Sequence, residues 1–111
     1  MDKLEQYRKY IQEILETIVT DNSNAGEIEE ELIIDQLRDH YLLVNVGWKD
    51  QKRNYGNSIH VDIIEGKIWI QRDLTDLCVA ERLLEKGVPK EDIVLAFHSP
   101  FKRQFMDFAV A

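Results

Sequence analysis

The segment from Ser58 to Arg72 constrains the fold of this chain more than any other. It reads SIHVDII, then Glu65-Gly66, then KIWIQR, so two runs rich in β-branched residues flank a two-residue turn. Gly66 supplies the positive φ angle that such a turn requires. The segment therefore predicts an antiparallel β-hairpin.

The position of the turn also fixes which side chains share a face of the hairpin. On the face that we expect to belong to the core, the pairs are Ile63 with Ile68 and Val61 with Ile70. On the second face, the pairs are Asp62 with Trp69 and His60 with Gln71. We predict that the functional residues of the hairpin lie on this second face.

Residues 2–20 read as an amphipathic helix. Asp2 and Glu5 have the spacing of a capping box, and apolar residues then recur at helical intervals, namely Leu4, Tyr7, Ile11, Ile14, Leu15 and Ile18. The polar cluster DNSNAG at residues 21–26 is expected to end the helix.

Two further strands are predicted at residues 28–35 and 40–48, where the apolar period changes to two. Trp48 falls in phase with Leu42, Val44 and Val46, so it is predicted to lie in the core. Trp69 falls out of phase with the core residues of its own strand. It is therefore either exposed to a partner or covered by a terminal helix.

Thr75 reads as the N-cap of a second helix that runs to about Lys86, and Gly87 is expected to end it. Residues 93–97 are predicted to form a buried strand, with a short helix beginning at Pro89 as the alternative. Ser99-Pro100 has the pattern of an N-cap and first helical residue.

These patterns predict a single α+β domain over residues 1–111. Its expected architecture is an antiparallel β-meander sheet packed by the N-terminal helix and by the second helix after the hairpin. The chain has no apolar run long enough to span a bilayer and no signal-peptide pattern, and its one cysteine, Cys78, excludes an internal disulfide. We expect a cytoplasmic protein.

The net charge of −7 argues against a protein that grips DNA directly, because DNA-binding proteins neutralise phosphates with several Lys and Arg residues. Basic residues occur only in small clusters around residues 49–53 and 102–103. No zinc-finger spacing or helix-turn-helix pair is evident. We predict weak binding of duplex DNA or none.

His60 and Asp62 are the residues best placed for chemistry, because they share one strand face. A metal site needs a further ligand, and His40 and His98 are remote in sequence. An ordinary, half-exposed sheet face is the favoured interpretation, so we predict no metal, no cofactor and no enzymatic activity. The serines also lack the context of a nucleophile elbow.

Three segments follow one another in the second half of the chain: HYLLVNVGW at 40–48, HVDIIEGKIWI at 60–70 and GVPKEDIVLAFHSP at 87–100. Their order and phase resemble those of the XisI family, known as fdxN element excision controlling factors. The matching residues are His40, Gly47, Trp48, Asp62, Gly66, Trp69, Gly87, Pro89, Phe97, His98, Pro100 and Arg103.

The resemblance implies an accessory role in programmed excision of a DNA element during heterocyst differentiation in cyanobacteria. It implies an XisH-like protein as partner, together with a site-specific recombinase, and no catalytic residues. From the residues we take four candidates for partner binding: His60, Asp62, Trp69 and Arg103. The apolar stripe of the first helix, together with Trp69, would also suit a homodimer.

Two alternatives to the accessory role stay open. One is an acidic, antitoxin-like or DNA-mimicking inhibitor of a nuclease-like partner, using the carboxylates at residues 27–31. The other is a small enzyme that uses His60, Asp62 and His98.

Overall fold

A computed structural model describes residues 2–21 and 28–111, which form a five-stranded sheet with the first two helices on one face and the short last helix against the other. The elements in chain order are α1 (Lys3–Asp21), β1 (Ile28–Asp35), β2 (His40–Lys49), β3 (Lys52–Ile64), β4 (Lys67–Asp73), α2 (Val79–Glu85), a 3-10 turn (Lys90–Asp92), β5 (Ile93–Leu95) and α3 (Pro100–Arg103). Among the described helices, none is long and apolar enough to cross a membrane. The sequence predicts that the cluster at residues 21–26 ends the first helix; Asp21 is the last helical residue, and residues 22–26 lie outside the described residues.

The strands follow the order β1-β2-β3-β4-β5, and the first four form the predicted antiparallel meander. The α+β fold class is confirmed. The fifth strand differs, because β5 runs parallel to β4. A parallel neighbour requires a crossover connection, and α2 with the 3-10 turn supplies it.

The β3–β4 hairpin has the predicted turn, with φ values of 50° at Glu65 and 81° at Gly66. The predicted pairs of Ile63 with Ile68, Val61 with Ile70 and Asp62 with Trp69 are all present. The pairing of His60 with Gln71 is wrong. His60 lies opposite Arg72, because a β-bulge leaves Gln71 as an extra residue on β4.

One face of the sheet packs against α1 and α2 and forms the hydrophobic core. The hairpin contributes its predicted face, in which Val61 and Ile68 are fully buried, and β2 contributes Tyr41 and Leu43. The predicted burial of Trp48 is wrong, since this side chain is 56% exposed. Both faces of β2 carry apolar residues, and the sheet buries the odd-numbered set against α1.

The first helix begins as predicted, with the Asp2 carboxylate accepting a hydrogen bond of 2.8 Å from the Glu5 backbone N–H. Polar contacts then attach the helix to the rest of the protein. The Tyr7 hydroxyl donates to the Asp92 carboxylate, and the Arg8 guanidinium donates to the Asp39 carboxylate at 2.7 Å.

The second helix begins at Val79, so the predicted N-cap at Thr75 is wrong. Asp73 explains the difference. One of its carboxylate oxygens accepts from the Thr75 backbone N–H and hydroxyl at 3.0 and 2.7 Å, and the other accepts from the Val79 N–H at 2.8 Å. The turn at Thr75 is thereby held outside the helix.

The end of α2 is as predicted. Gly87 has a φ of 96°, and the Val88 N–H donates to the Leu83 carbonyl at 3.1 Å, which is the Schellman pattern.

Both interpretations of the segment after Pro89 are partly confirmed. A 3-10 turn follows the proline, and a buried strand of three residues follows that turn. The Ser99 hydroxyl caps α3 by accepting from the Lys102 N–H at 3.2 Å, as the sequence predicted.

Candidate functional site

The second face of the sheet, opposite α1 and α2, is here called the open face. Its β4–β5 end is covered by the chain that follows β5. Val94, which lies beside Trp69 in the sheet, is fully buried and bridges to Ala109. Over β1–β3 the apolar side chains of this face stay partly or largely exposed, namely Ile33, Leu42, Val44, Val46, Trp48 and Tyr55.

Three side chains on the open face converge to form a histidine–aspartate cluster, made of His40, His60 and Asp62. One oxygen of the Asp62 carboxylate lies 2.8 Å from His40 Nδ1 and 3.0 Å from His60 Nε2. His40 lies directly opposite Asp62 in the β2–β3 ladder, and His60 precedes Asp62 by two residues on the same strand.

Burial sets the electrostatics of this cluster. Asp62 is only 7% exposed, so its carboxylate depends on protein donors in place of water. Its second oxygen accepts a long hydrogen bond of 3.4 Å from the Gln71 side-chain amide. The hydrogen bond that the Asp62 carboxylate accepts raises the pKa of His40, because it favours the protonated imidazole.

The pairing of β2 with β3 explains why the sequence did not reveal His40 as a member. Counting back from the β2–β3 turn, where Lys49 pairs with Lys52, would place His40 opposite Val61. A bulge at Ser58, which is an extra residue on β3 between the Leu43–Ile59 and Val44–Asn57 pairs, shifts the register by one residue and brings His40 opposite Asp62 instead. A one-residue shift moves a side chain to the other face relative to its neighbours, so the cluster depends on the bulge.

His98, the other histidine considered with His60 and Asp62, takes a different place. Its ring contacts that of Phe97 at a centroid distance of 4.6 Å. The group of potential metal ligands found among residues 2–21 and 28–111 contains His40, His60 and Asp62. The histidine that the fold brings to the pair is therefore His40.

Trp69 and Arg103 form a covered pair on the open face. The Arg103 guanidinium lies 5.6 Å from the centroid of the Trp69 ring, and Arg103 is 9% exposed. The last helix thus covers part of Trp69, one of the two outcomes that the sequence allowed. His60, Asp62, Trp69 and Arg103 all lie on or against the open face, and their role in partner binding stays a prediction.

Trp48 and Arg53 form an open pair at the far end of the β2–β3 hairpin. The Arg53 guanidinium lies 5.5 Å from the Trp48 ring centroid and 5.8 Å from that of Tyr55. Trp48 and Tyr55 are 56% and 72% exposed. Sequence reasoning missed this patch because Trp48 is in phase with apolar residues of β2. The basic residues of the turn were the available signal that this end of the strand reaches solvent.

The fold and the site together define a small α+β protein in which one face of the sheet packs against α1 and α2 and the other stays partly exposed over β1–β3. The chain matches the model of the XisI protein family over residues 1–110. It belongs to that family, as its sequence motifs predicted.

Solved structures agree with this assignment. A crystal structure of an XisI-like protein from Anabaena variabilis is 44% identical, with a TM-score of 0.91, and the match covers 97% of this chain and 99% of that one. A crystal structure of the fdxN element excision controlling factor XisI from the same organism is 41% identical, with a TM-score of 0.87 and coverage of 99% and 100%. The comparison with curated proteins gave no match.

Proposed function

We propose that this protein is a non-catalytic controlling factor for the excision of a DNA element, and that it acts by binding an XisH-like partner. The family and the name of a solved structure 41% identical support the role in excision control. The partner follows from the same family resemblance.

The exposed patch of Trp48, Arg53 and Tyr55 supports action through a protein contact. Trp, Tyr and Arg are the residues that most often dominate the energy of protein interfaces. Here a ring that is more than half exposed carries a guanidinium on one side, at the edge of a partly exposed apolar sheet face. A net charge of −7 makes nucleic acid a poor alternative occupant.

The test is a calorimetric titration of the protein with the XisH-like partner. Trp48→Ala should weaken binding by about 1–3 kcal/mol if the tryptophan anchors the interface. Leu37→Ala is a matched control, since Leu37 is 82% exposed at the opposite end of β2. Unchanged affinity in a folded Trp48→Ala variant would assign the contact elsewhere. Self-association that Trp48→Ala abolishes would identify a second copy as the occupant.

An inhibitor of a nuclease-like partner is the second candidate. Glu29 and Glu31 alternate along the edge strand β1 with exposed side chains, in an acidic chain, and so present negative charge where a nucleic-acid-binding surface could accept it. Glu27 lies outside the described residues. Loss of the partner's nuclease activity on adding this protein, and its recovery with Glu29→Gln/Glu31→Gln, would favour inhibition over simple assembly.

A further inference from the structure

The histidine–aspartate cluster carries a second kind of site on the open face. Two imidazoles and one carboxylate are the donor set of several transition-metal centres in proteins. The donor atoms of His40, His60 and Asp62 all lie within 4.8 Å of one another. We propose that these residues bind one divalent first-row transition metal ion, of the class of Zn²⁺.

The spacing of the donor atoms suits such an ion. With metal–ligand bonds of about 2.1 Å, neighbouring ligand atoms are about 3.0 Å apart in an octahedral site and about 3.4 Å apart in a tetrahedral one. The Asp62 oxygen lies 2.8 Å from His40 Nδ1 and 3.0 Å from His60 Nε2. These two distances lie within a few tenths of an ångström of the octahedral spacing, and the two histidine nitrogens lie within 4.8 Å of each other. Rotation of the half-exposed His40 side chain brings the three atoms around the ion.

The surroundings of Asp62 favour the same assignment. The Asp62 side chain is only 10% exposed, and it is held by a strand of the sheet rather than by a loop. Gln71 contacts the oxygen that the histidines leave free, which is the arrangement of an outer partner that orients a metal ligand. In the metal-free cluster, the two histidine nitrogens contact the same carboxylate oxygen, and a bound metal ion would take the place of these two contacts.

Three protein ligands leave at least one coordination position open, and that position faces solvent. The side chain of His40 is 51% exposed and that of His60 is 32% exposed. Water fills the open position in the isolated protein. The site differs in this respect from closed structural zinc sites, in which four protein ligands surround the ion.

The experiment uses untagged protein with Cys78→Ser, so that the one thiol cannot take the metal. The protein is titrated with Zn²⁺ by calorimetry and with Co²⁺ by visible absorption, which reports the coordination of the ion. We expect one ion per chain. His40→Ala and His60→Ala should each weaken binding by at least about tenfold, because loss of an outer partner alone typically costs 10–100-fold.

His98→Ala is the matched control and should leave the affinity unchanged, since this histidine lies outside the cluster. Gln71→Ala should weaken binding by about tenfold as the loss of a positioning residue. Absence of stoichiometric binding, or equal affinity in His40→Ala and the parent, would overturn the proposal. If circular dichroism shows that His60→Ala does not fold, the His40→Ala and His40→Gln variants decide the test, because His40 is half-exposed. None of these readouts involves the XisH-like partner, so the site can fail while the proposed function stands.

Discussion

The two faces of the sheet differ in what covers them, and we propose that one face serves stability and the other serves binding. The face against α1 and α2 is apolar, and its central residues Leu43, Val61 and Ile68 have no exposed surface. The open face carries the histidine–aspartate cluster and two Trp–Arg pairs. A buried carboxylate and an exposed tryptophan both cost stability or solubility, and their presence on one face supports the binding role proposed for it.

The two Trp–Arg pairs extend this comparison within the open face itself. Their cation–π distances are nearly equal, at 5.5 Å for Arg53 on Trp48 and 5.6 Å for Arg103 on Trp69. The two pairs differ in exposure. The α3 helix covers the pair of Trp69 and Arg103, whereas nothing among the described residues covers Trp48 and Arg53 to the same degree. We therefore expect Trp69 to contribute to folding and Trp48 to contribute to binding.

The largest effect should separate the two faces at neighbouring positions on β4. Ile70 is 1% exposed in the core, so Ile70→Ala should destabilise the protein by about 2–4 kcal/mol through lost burial and a cavity. Gln71→Ala, one residue on and facing the other way, should cost less than about 1 kcal/mol. Urea denaturation measures both. Equal losses at the two positions would mean that the faces are not distinct.

The hairpin shows how much of this arrangement the sequence predicts. The Glu65-Gly66 turn has one favourable geometry, so local counting placed Ile70 and Trp69 on opposite faces correctly. Counting failed for His40, because the bulge at Ser58 changes the register without a local marker in the sequence.

Two further errors have a related cause, which is competition between local pattern and distant contacts. Thr75 has the pattern of an N-cap, but the carboxylate of Asp73 takes its hydroxyl and caps the helix at Val79 instead. Trp48 has the phase of a core residue in a strand that is apolar on both faces, and only the position of α1 decides which face is buried.

High pH should weaken the helix-covered face in particular. Burial, followed by interactions with Asp92 and Asp39 respectively, raises the pKa values of Tyr7 and Tyr41 well above the ordinary 10. The folded state therefore keeps protons that the unfolded state loses. Stability is fully present below pH 10 and falls above it, by up to about 1.4 kcal/mol per pH unit for each tyrosine.

Urea midpoints measured from pH 8 to about pH 11 test this expectation, with Tyr7→Phe as the control. Phenylalanine cannot ionise, so the variant should lose stability less steeply as the pH rises. Parallel curves for the variant and the parent would contradict the assignment of the loss to Tyr7.

A smaller effect should distinguish the two tryptophans. Trp69→Ala should lower the free energy of unfolding by about 1–2 kcal/mol, less than for a fully buried aromatic residue, because Trp69 is only partly buried. Trp48→Ala should change it by no more than about 0.5 kcal/mol. The same denaturation experiment decides, and a larger loss for Trp48→Ala would reverse the roles given to the two pairs.

The smallest effect concerns the arginine that covers Trp69. Arg103→Ala should lower the free energy of unfolding by about 1 kcal/mol, because the substitution removes both the stacking of the guanidinium on the ring and the packing of the methylene stem. Lys102→Ala, at an exposed neighbouring position, should cost less than about 0.5 kcal/mol.

Arg103→Met separates the two contributions, since methionine keeps apolar contact with the ring and removes the charge. The Nε atom of Arg103 is buried without a hydrogen-bond partner, and a buried charge with incomplete partners is costly. We therefore expect Arg103→Met to be nearly as stable as the parent in urea denaturation. A loss for Arg103→Met as large as for Arg103→Ala would show that the cation–π contact, rather than coverage of the ring, stabilises this end of the open face.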